Sequence, residues 1–505
     1  MSRQNSEMEF EDIQGIFRFA HGHLEEACFT LLCIKDCAEA KRWIAAAPVT
    51  SAAAVSPVPT SAMQIAFTAS GLQSLEMDPH ILAGFSEEFT CGMTAGNRPR
   101  RLGDIGDNAP SSWGWGGNAE SCADVLLMLY ANRGQLTDWE AQICTEPFLR
   151  AFNVLTKLES RADMRQEPFG FVDGISQPKV DWQRKQSTNQ HDRASYSNLL
   201  AIGEILLGYP NEYGEYTDRP LLPEDTAEAK SLPFAEESPR LRDLGRNGGY
   251  LVFRQLQQDV PGFWQFLDNE ARGDPARREQ LAEAMVGRRR DGRPLMPVSN
   301  TVSPENHSGQ HSNNFNYDND PAGKVCPVGA HIRRTNPRTG DLPPGFGFLT
   351  RILQTFGLHR KSRSRDLVAS TRFHRLLRRG RPYGPSLSPE QALTVKQDSN
   401  IRGLNFVALT ANISRQFEFV QSAWIASSKF GGVQNETDPL LGNRRPLLGG
   451  TRTDGFSMPQ KSGPCSRVRG LPQFVSVQGG GYFFVPGLRA LRFIVGDGSE
   501  RQKTE

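Results

Sequence analysis

"GGYLVFRQLQQDVPGFWQFLDNEA" spans residues 248–271 and sets two kinds of pattern side by side. GGYLVFRQL (248–256), an apolar run opened by two glycines, reads as a strand. DVPGFWQFLDNEA (259–271) carries a helix start, with Asp259 placed just ahead of Pro261. A strand that passes directly into a helix belongs to a layered architecture of sheet and helices. The same grammar recurs upstream: FTLLCI (29–34) and AMQIAFT (62–68) read as strands, and AEAKRWIAAA (38–47) reads as a helix. ADVLLMLYA (123–131) predicts a buried strand followed by one amphipathic helix over DWEAQICTEPFLRAF (138–152). Downstream, PARREQLAEAMVGRR (275–289) reads as a helix, LNFVALTANI (404–413) as a strand and SRQFEFVQSAWI (414–425) as a helix. GGGYFFVPG (479–487) closes the sheet. Two halves of similar grammar predict a duplicated α+β unit, although no clean internal repeat is visible. The expected divisions are a first unit over 10–182, a polar and proline-rich linker or lid over 183–245, and a second unit over 246–490. Within the linker, AIGEILLGY (201–209) reads as a further strand. The Gly/Pro/Arg-rich stretch 338–384 reads as an insertion of low regularity.

The chain has 505 residues, 38% hydrophobic and 23% charged, a balance that suits a large globular protein. A net charge of +2 gives no reason to expect nucleic acid or an anionic membrane as partner. Basic runs such as RRRDGR (288–293) and HRKSRSR (359–365) read as solvated surface. No stretch reaches the roughly 20 apolar residues that span a bilayer, and the polar start lacks the apolar run of a secretory signal. Eight scattered cysteines with no CxxC pair read as mostly reduced, buried thiols of a cytosolic protein.

Three stretches could carry chemistry. GFVDGISQP (170–178) sets Asp173 in a loop between Gly170 and Gly174, where the glycines reach positive φ and permit close approach to a flat ligand. CPVGAHIRRTNPR (326–338) projects His331 from a tight turn ahead of Arg333, Arg334 and Arg338. A neutral imidazole held this way is a competent iron ligand, and the arginines could neutralise carboxylates. LLRRGRPYG (376–384) brings Arg378, Arg379 and Arg381 before a Pro-Tyr turn, and guanidinium suits a developing oxyanion. On the residues alone each has a plainer alternative: a structural histidine, an Asx turn, an Arg-rich surface. His307 and His311 lie in a Gly/Ser/Asn loop with no third ligand in view, so they do not read as a metal site. His21, His23, His80, His191, His359 and His374 read as surface groups.

Taken together, these stretches resemble the dye-decolorizing peroxidase family of haem proteins. GFVDGISQP looks like that family's GxxDG motif, with Asp173 at its distal aspartate. CPVGAHIRRTNPR is similar to the segment carrying the proximal histidine, at His331, and LLRRGRPYG to the segment carrying the distal arginine, at Arg378. The similarity runs over roughly residues 10–490 through DIQGIF (12–17), IAFTASGLQSL (65–75), LGD (102–104) and GGYLVFRQLQQDV. It implies tandem ferredoxin-like units, with non-covalent haem b held mainly by the second. It also implies reduction of hydrogen peroxide and oxidation of organic donors such as dyes or phenolics through high-valent iron. Arg333 and Arg338 are the expected cofactor-binding residues, Arg338 at a propionate. Arg375 and Arg379 stand as alternatives to Arg378, and Glu418 and Asp398 as candidate partners of the His331 ring. The alternative function is haem binding or haem-iron handling without peroxidase turnover.

Overall fold

The computed structural model describes residues 7–160, 166–184, 198–297, 313–338, 370–395, 398–444, 452–460 and 462–496. Its centre is one antiparallel sheet. The strands are β1 (Glu26–Ile34), β2 (Ser61–Phe67), β3 (Val125–Ala131), β4 (Phe152–Glu159), β5 (Gly249–Gln258), β6 (Leu377–Arg378), β7 (Arg381–Tyr383), β8 (Gly403–Thr410) and β9 (Val475–Val485). Their order is β6-β8-β5-β9-β2-β3-β1-β4, with β7 also on β8. The first four strands interleave with helices α1 (Cys37–Ala46), α2 (Leu136–Ile143) and α3 (Glu146–Ala151) in a β-α-β-β-α-β sequence. Their sheet order is 4-1-3-2. The second set, read as β5, β6/β7, β8 and β9, repeats that order, with α4 (Val260–Ala271) and α5 (Pro275–Val286) after its first strand. Two ferredoxin-like halves therefore share one sheet. They meet where Phe67 pairs with Phe484, the one register pair between β2 and β9.

Burial explains why the elements form. All seven residues of β3 are buried, as expected of a strand covered on both faces. On one face Trp43 of α1 and Phe263, Trp264 and Leu267 of α4 join Val252 and Leu256 of β5 in a single core. On the other, Ile13, Ile16 and Phe17 pack with Leu31, Leu126 and Leu251. Asp259 starts α4 as foreseen, its Oδ1 accepting the Gly262 N–H at 2.8 Å.

Several expectations are corrected. The single helix over 138–152 is two, because Pro147 falls in the first turn of α3 and cannot continue a preceding helix. Residues 201–209 are no strand: Ile202–Glu204 form a tight turn, and Ile202, Ile205 and Leu206 fill the second core. A short apolar run does not reveal its backbone by pattern alone. Within 338–384, residues 370–384 are ordered as a turn (Ser370–His374) and two strands, while 339–369 lie outside the described residues. So do His191, His307, His311 and His359. His21 and His374, expected at the surface, are 4% and 9% exposed. Among the described residues no helix is long and apolar enough to cross a membrane.

Candidate active site

One cavity brings the three chemistry-bearing stretches together. His331, Asp173 and Arg378 all line it, with Phe169, Leu404, Phe406, Phe417, Val420, Ile425 and Leu440 supplying apolar walls. His331 opens the short helix α6 (His331–Thr335), and Asp173 comes from the loop after β4. Arg378 is the last residue of β6.

On the His331 side, Nδ1 meets Asp438 Oδ2 at 2.9 Å. Asp438 is fully buried and is itself fixed, its Oδ1 accepting the N–H groups of Leu440 and Leu441 at 2.9 Å each. Burial pushes the His331 pKa down, but the Asp438 carboxylate outweighs it, and the pKa ends above its ordinary value. For Asp438 burial acts upward, and the imidazole and the Leu441 N–H bring it below the ordinary range. Nε2 is left as the ring nitrogen available to the cavity. Neither expected partner of this ring is correct. Glu418 instead accepts Arg98 at 3.0 Å and the Tyr482 hydroxyl at 2.9 Å, and Asp398 holds Arg402.

In the same cavity, Arg378 Nη1 donates to Asp173 Oδ1 at 3.1 Å. The glycines of the loop adopt φ 95° at Gly170 and 81° at Gly174, in the left-handed region as the sequence suggested. Gln177 accepts the Arg378 N–H at 3.0 Å, and Arg288 donates to Ser176 at 2.7 Å, so the loop is tied to β6 and to the segment after α5. Burial works to raise the Asp173 pKa. The Arg378 guanidinium and the Gly174 N–H outweigh it and hold the carboxyl below its ordinary value. The side chains of Asp173 and His331 remain 40% and 23% accessible. Both line the cavity.

Strand alternation separates the arginines. Arg379, next after Arg378, points to the other face of the sheet, where its Nε donates to Ile16 O at 2.9 Å. Arg375 does line the cavity, with Nη1 donating to Asn336 Oδ1 at 3.0 Å. The two arginines expected at the cofactor are placed differently. Arg333 is turned to Asp320 and the Cys326 carbonyl, and Arg338 is fully buried against Asn198 and Asn313. Neither lines the cavity. The sequence reading took His374 for a surface group, named Arg375 only as an alternative to Arg378, and missed Asp438. The first two were hidden in a segment that reads as irregular, and Asp438 stands 107 residues from His331.

A flat, largely apolar ring with an iron centre and two carboxylates fits this donor set. The walls are apolar, one imidazole nitrogen is held by Asp438, and the other serves the cavity. At the arginine-rich end burial, with Arg338, Arg378 and Arg372 nearby, pushes the Arg375 pKa down to about 9. Crowded guanidiniums at a cavity wall call for anions.

The fold and this cavity define the class: a tandem ferredoxin-like protein whose cavity is lined by a histidine held by a buried aspartate and by an aspartate–arginine pair. No family model matches the chain. The dye-decolorizing peroxidase of Exidia glandulosa is 28% identical over 512 residues, covering 96% of this chain and 87% of that one. The multifunctional dye peroxidase DyP2 of an Amycolatopsis species is 28% identical over 471 residues, covering 86% and 82%. The Auricularia auricula-judae enzyme in complex with imidazole superposes with a TM-score of 0.68 at 24% identity, covering 97% of this chain and 99% of the other. A dye-decolorizing peroxidase with an engineered haem pocket gives 0.69 at 25% identity, covering 97% and 99%. Over most of its length the chain is similar to dye-decolorizing peroxidases, in sequence and in fold.

Proposed function

We propose that the chain is a hydrogen peroxide-dependent haem peroxidase in which Asp173 moves the proton and Arg378 stabilises the developing charge. The observation that carries this reading is that one cavity is lined both by the Asp173–Arg378 pair and by His331, whose other ring nitrogen is held by Asp438. Haem, held in this cavity, would supply the redox chemistry: two electrons to cleave the O–O bond, regained from an organic donor such as a dye or phenol. His331 would hold the haem iron through Nε2, the ring nitrogen that Asp438 leaves free. Asp438 accepts the Nδ1–H, fixes the tautomer and makes the imidazole a stronger donor. Arg375 is suited to a ring carboxylate, the role expected of Arg338. Asp173, ionised because its pKa lies low, accepts a proton from one peroxide oxygen and returns it to the other, which departs as water. Arg378 stabilises the negative charge that develops on the departing oxygen. Haem binding without turnover has no use for an acid–base residue opposite the ligand, and the presence of one favours the enzyme. The test is peroxide addition to the haem-loaded protein. A fast Soret change followed by dye oxidation is expected, and a static spectrum refutes the reading.

We also infer a reducing, cytosolic compartment, since all eight cysteines are unpaired. Thiol titration of the denatured, non-reduced protein should return eight, and a lower count would overturn the inference.

A further inference from the structure

Six residues before Asp173 stands Glu167, which also lines the cavity. Its carboxylate is spread over three donors. Oε2 accepts the Phe169 N–H at 3.0 Å and Gln258 Nε2 at 2.8 Å, and Oε1 accepts the Phe171 N–H at 3.0 Å. The backbone of Glu167 closes the same loop: its N–H donates to Phe171 O at 2.9 Å, and its carbonyl accepts Gly170 N at 2.8 Å. Four hydrogen bonds to the loop backbone, two through the carboxylate and two through the main chain, thus converge on a single residue. Outside contacts add Trp264 Nε1 to Phe169 O at 3.2 Å and Val172 N to Arg290 O at 3.0 Å. These described hydrogen-bond partners of the carboxylate are all neutral donors. Burial drives its pKa up to about 6 against the pull of those donors, with Asp173 adding to the rise. A neutral Gln would be easier to bury there, but it accepts through one oxygen only and would turn an NH₂ toward a donor.

We infer that Glu167 is the positioning residue of the loop: its carboxylate clamps the Phe169 and Phe171 amides and so sets where Asp173 meets peroxide. The inference rests on the reading of Asp173 given above. Glu167 touches no reacting atom in this scheme; it acts through Asp173. Small misplacements matter, since about 1 Å at a catalytic group can cost about 10²-fold.

The test compares wild type with Glu167→Gln and, to leave the carboxylate in place, Gln258→Leu, all loaded with haem. Two quantities are read: the rate constant for reaction with peroxide, and amide hydrogen exchange at Phe169 and Phe171. In Glu167→Gln both amides should lose protection and the peroxide constant should fall about 10²-fold. At saturating peroxide, kcat/KM for the organic donor should stay within about twofold, because that step does not use Asp173. Gln258→Leu removes one of three donors and should give the same pattern more weakly. Unchanged amide protection, or lost protection with an unchanged peroxide constant, overturns the proposal. Peroxide and donor constants falling together with the Soret band show a merely structural role and also overturn it. Should Glu167→Gln fail to fold, Gln258→Leu decides alone, by the same two readouts. If wild type itself ignores peroxide, the peroxidase reading fails, while amide exchange still reports whether Glu167 holds the loop.

Discussion

Replacing Asp173 by Asn isolates the proton-transfer role. Asn keeps the size and an oxygen, so Oδ1 still accepts from Arg378 at the site of the present 3.1 Å bond, and the loop keeps its glycine turns. What is lost is a group able to take a proton. Positioned proton transfer contributes about 10²–10⁴-fold. At about 1.36 kcal/mol per tenfold that raises the barrier by about 2.7–5.4 kcal/mol. The assay is stopped-flow absorbance at the Soret band over a series of peroxide concentrations, from which the slope gives the second-order constant. In wild type the constant should hold through mildly acid pH and decline only below the ordinary Asp value of 3.8, because the Arg378 pair keeps Asp173 ionised. In Asp173→Asn the constant should be low at every pH and that decline should vanish. A variant within about threefold of wild type, or one that retains the acid decline, refutes the assignment of the proton to Asp173.

Arg378→Leu should slow the peroxide step by about 10²–10³-fold. Arg379→Leu, on the other face of the sheet, should leave that constant within a few fold while lowering the melting temperature, so parallel measurements separate the neighbours. Asp438→Asn should retain haem but raise the iron reduction potential in a spectroelectrochemical titration, because the imidazole loses its anionic partner. Trp264→Ala, at a fully buried position, should cost about 3–5 kcal/mol in denaturant unfolding. Burial raises the Glu204 pKa to about 7, so the folded state binds a proton there that the unfolded state has already released. Stability from this group is therefore lost as pH rises from about 4.5 to about 7, and Glu204→Gln should flatten the melting temperature over that window.

What the sequence disclosed follows from locality. ADVLLMLYA and the strand–helix passage at Asp259 carry their signals within about a dozen residues, and the structure bears both out. Asp173 and His331 were legible because glycine and proline punctuate their loops. The 4-1-3-2 order was not, since β2 and β3 are separated by the whole stretch from Phe67 to Val125, and pairing at that range leaves no local mark. Asp438 was illegible for the same reason. The resemblance pointed to Arg378, but the residues alone could not prefer it over Arg379, because a two-residue strand is too short for alternation to show. His374 and Arg375 sit among basic residues that resemble a solvated surface, yet here they turn inward to a cavity that calls for anions.

A single residue pair, Phe67 with Phe484, stitches the two half-sheets together. Each half thus keeps its own strand register, and side-chain faces decide how the halves seat on one another. Asp173 is delivered from the end of the first half and Arg378 by the second, so the gap between them works as a gauge of that seating. A slip along the seam would silence peroxide chemistry while circular dichroism still reported an intact protein.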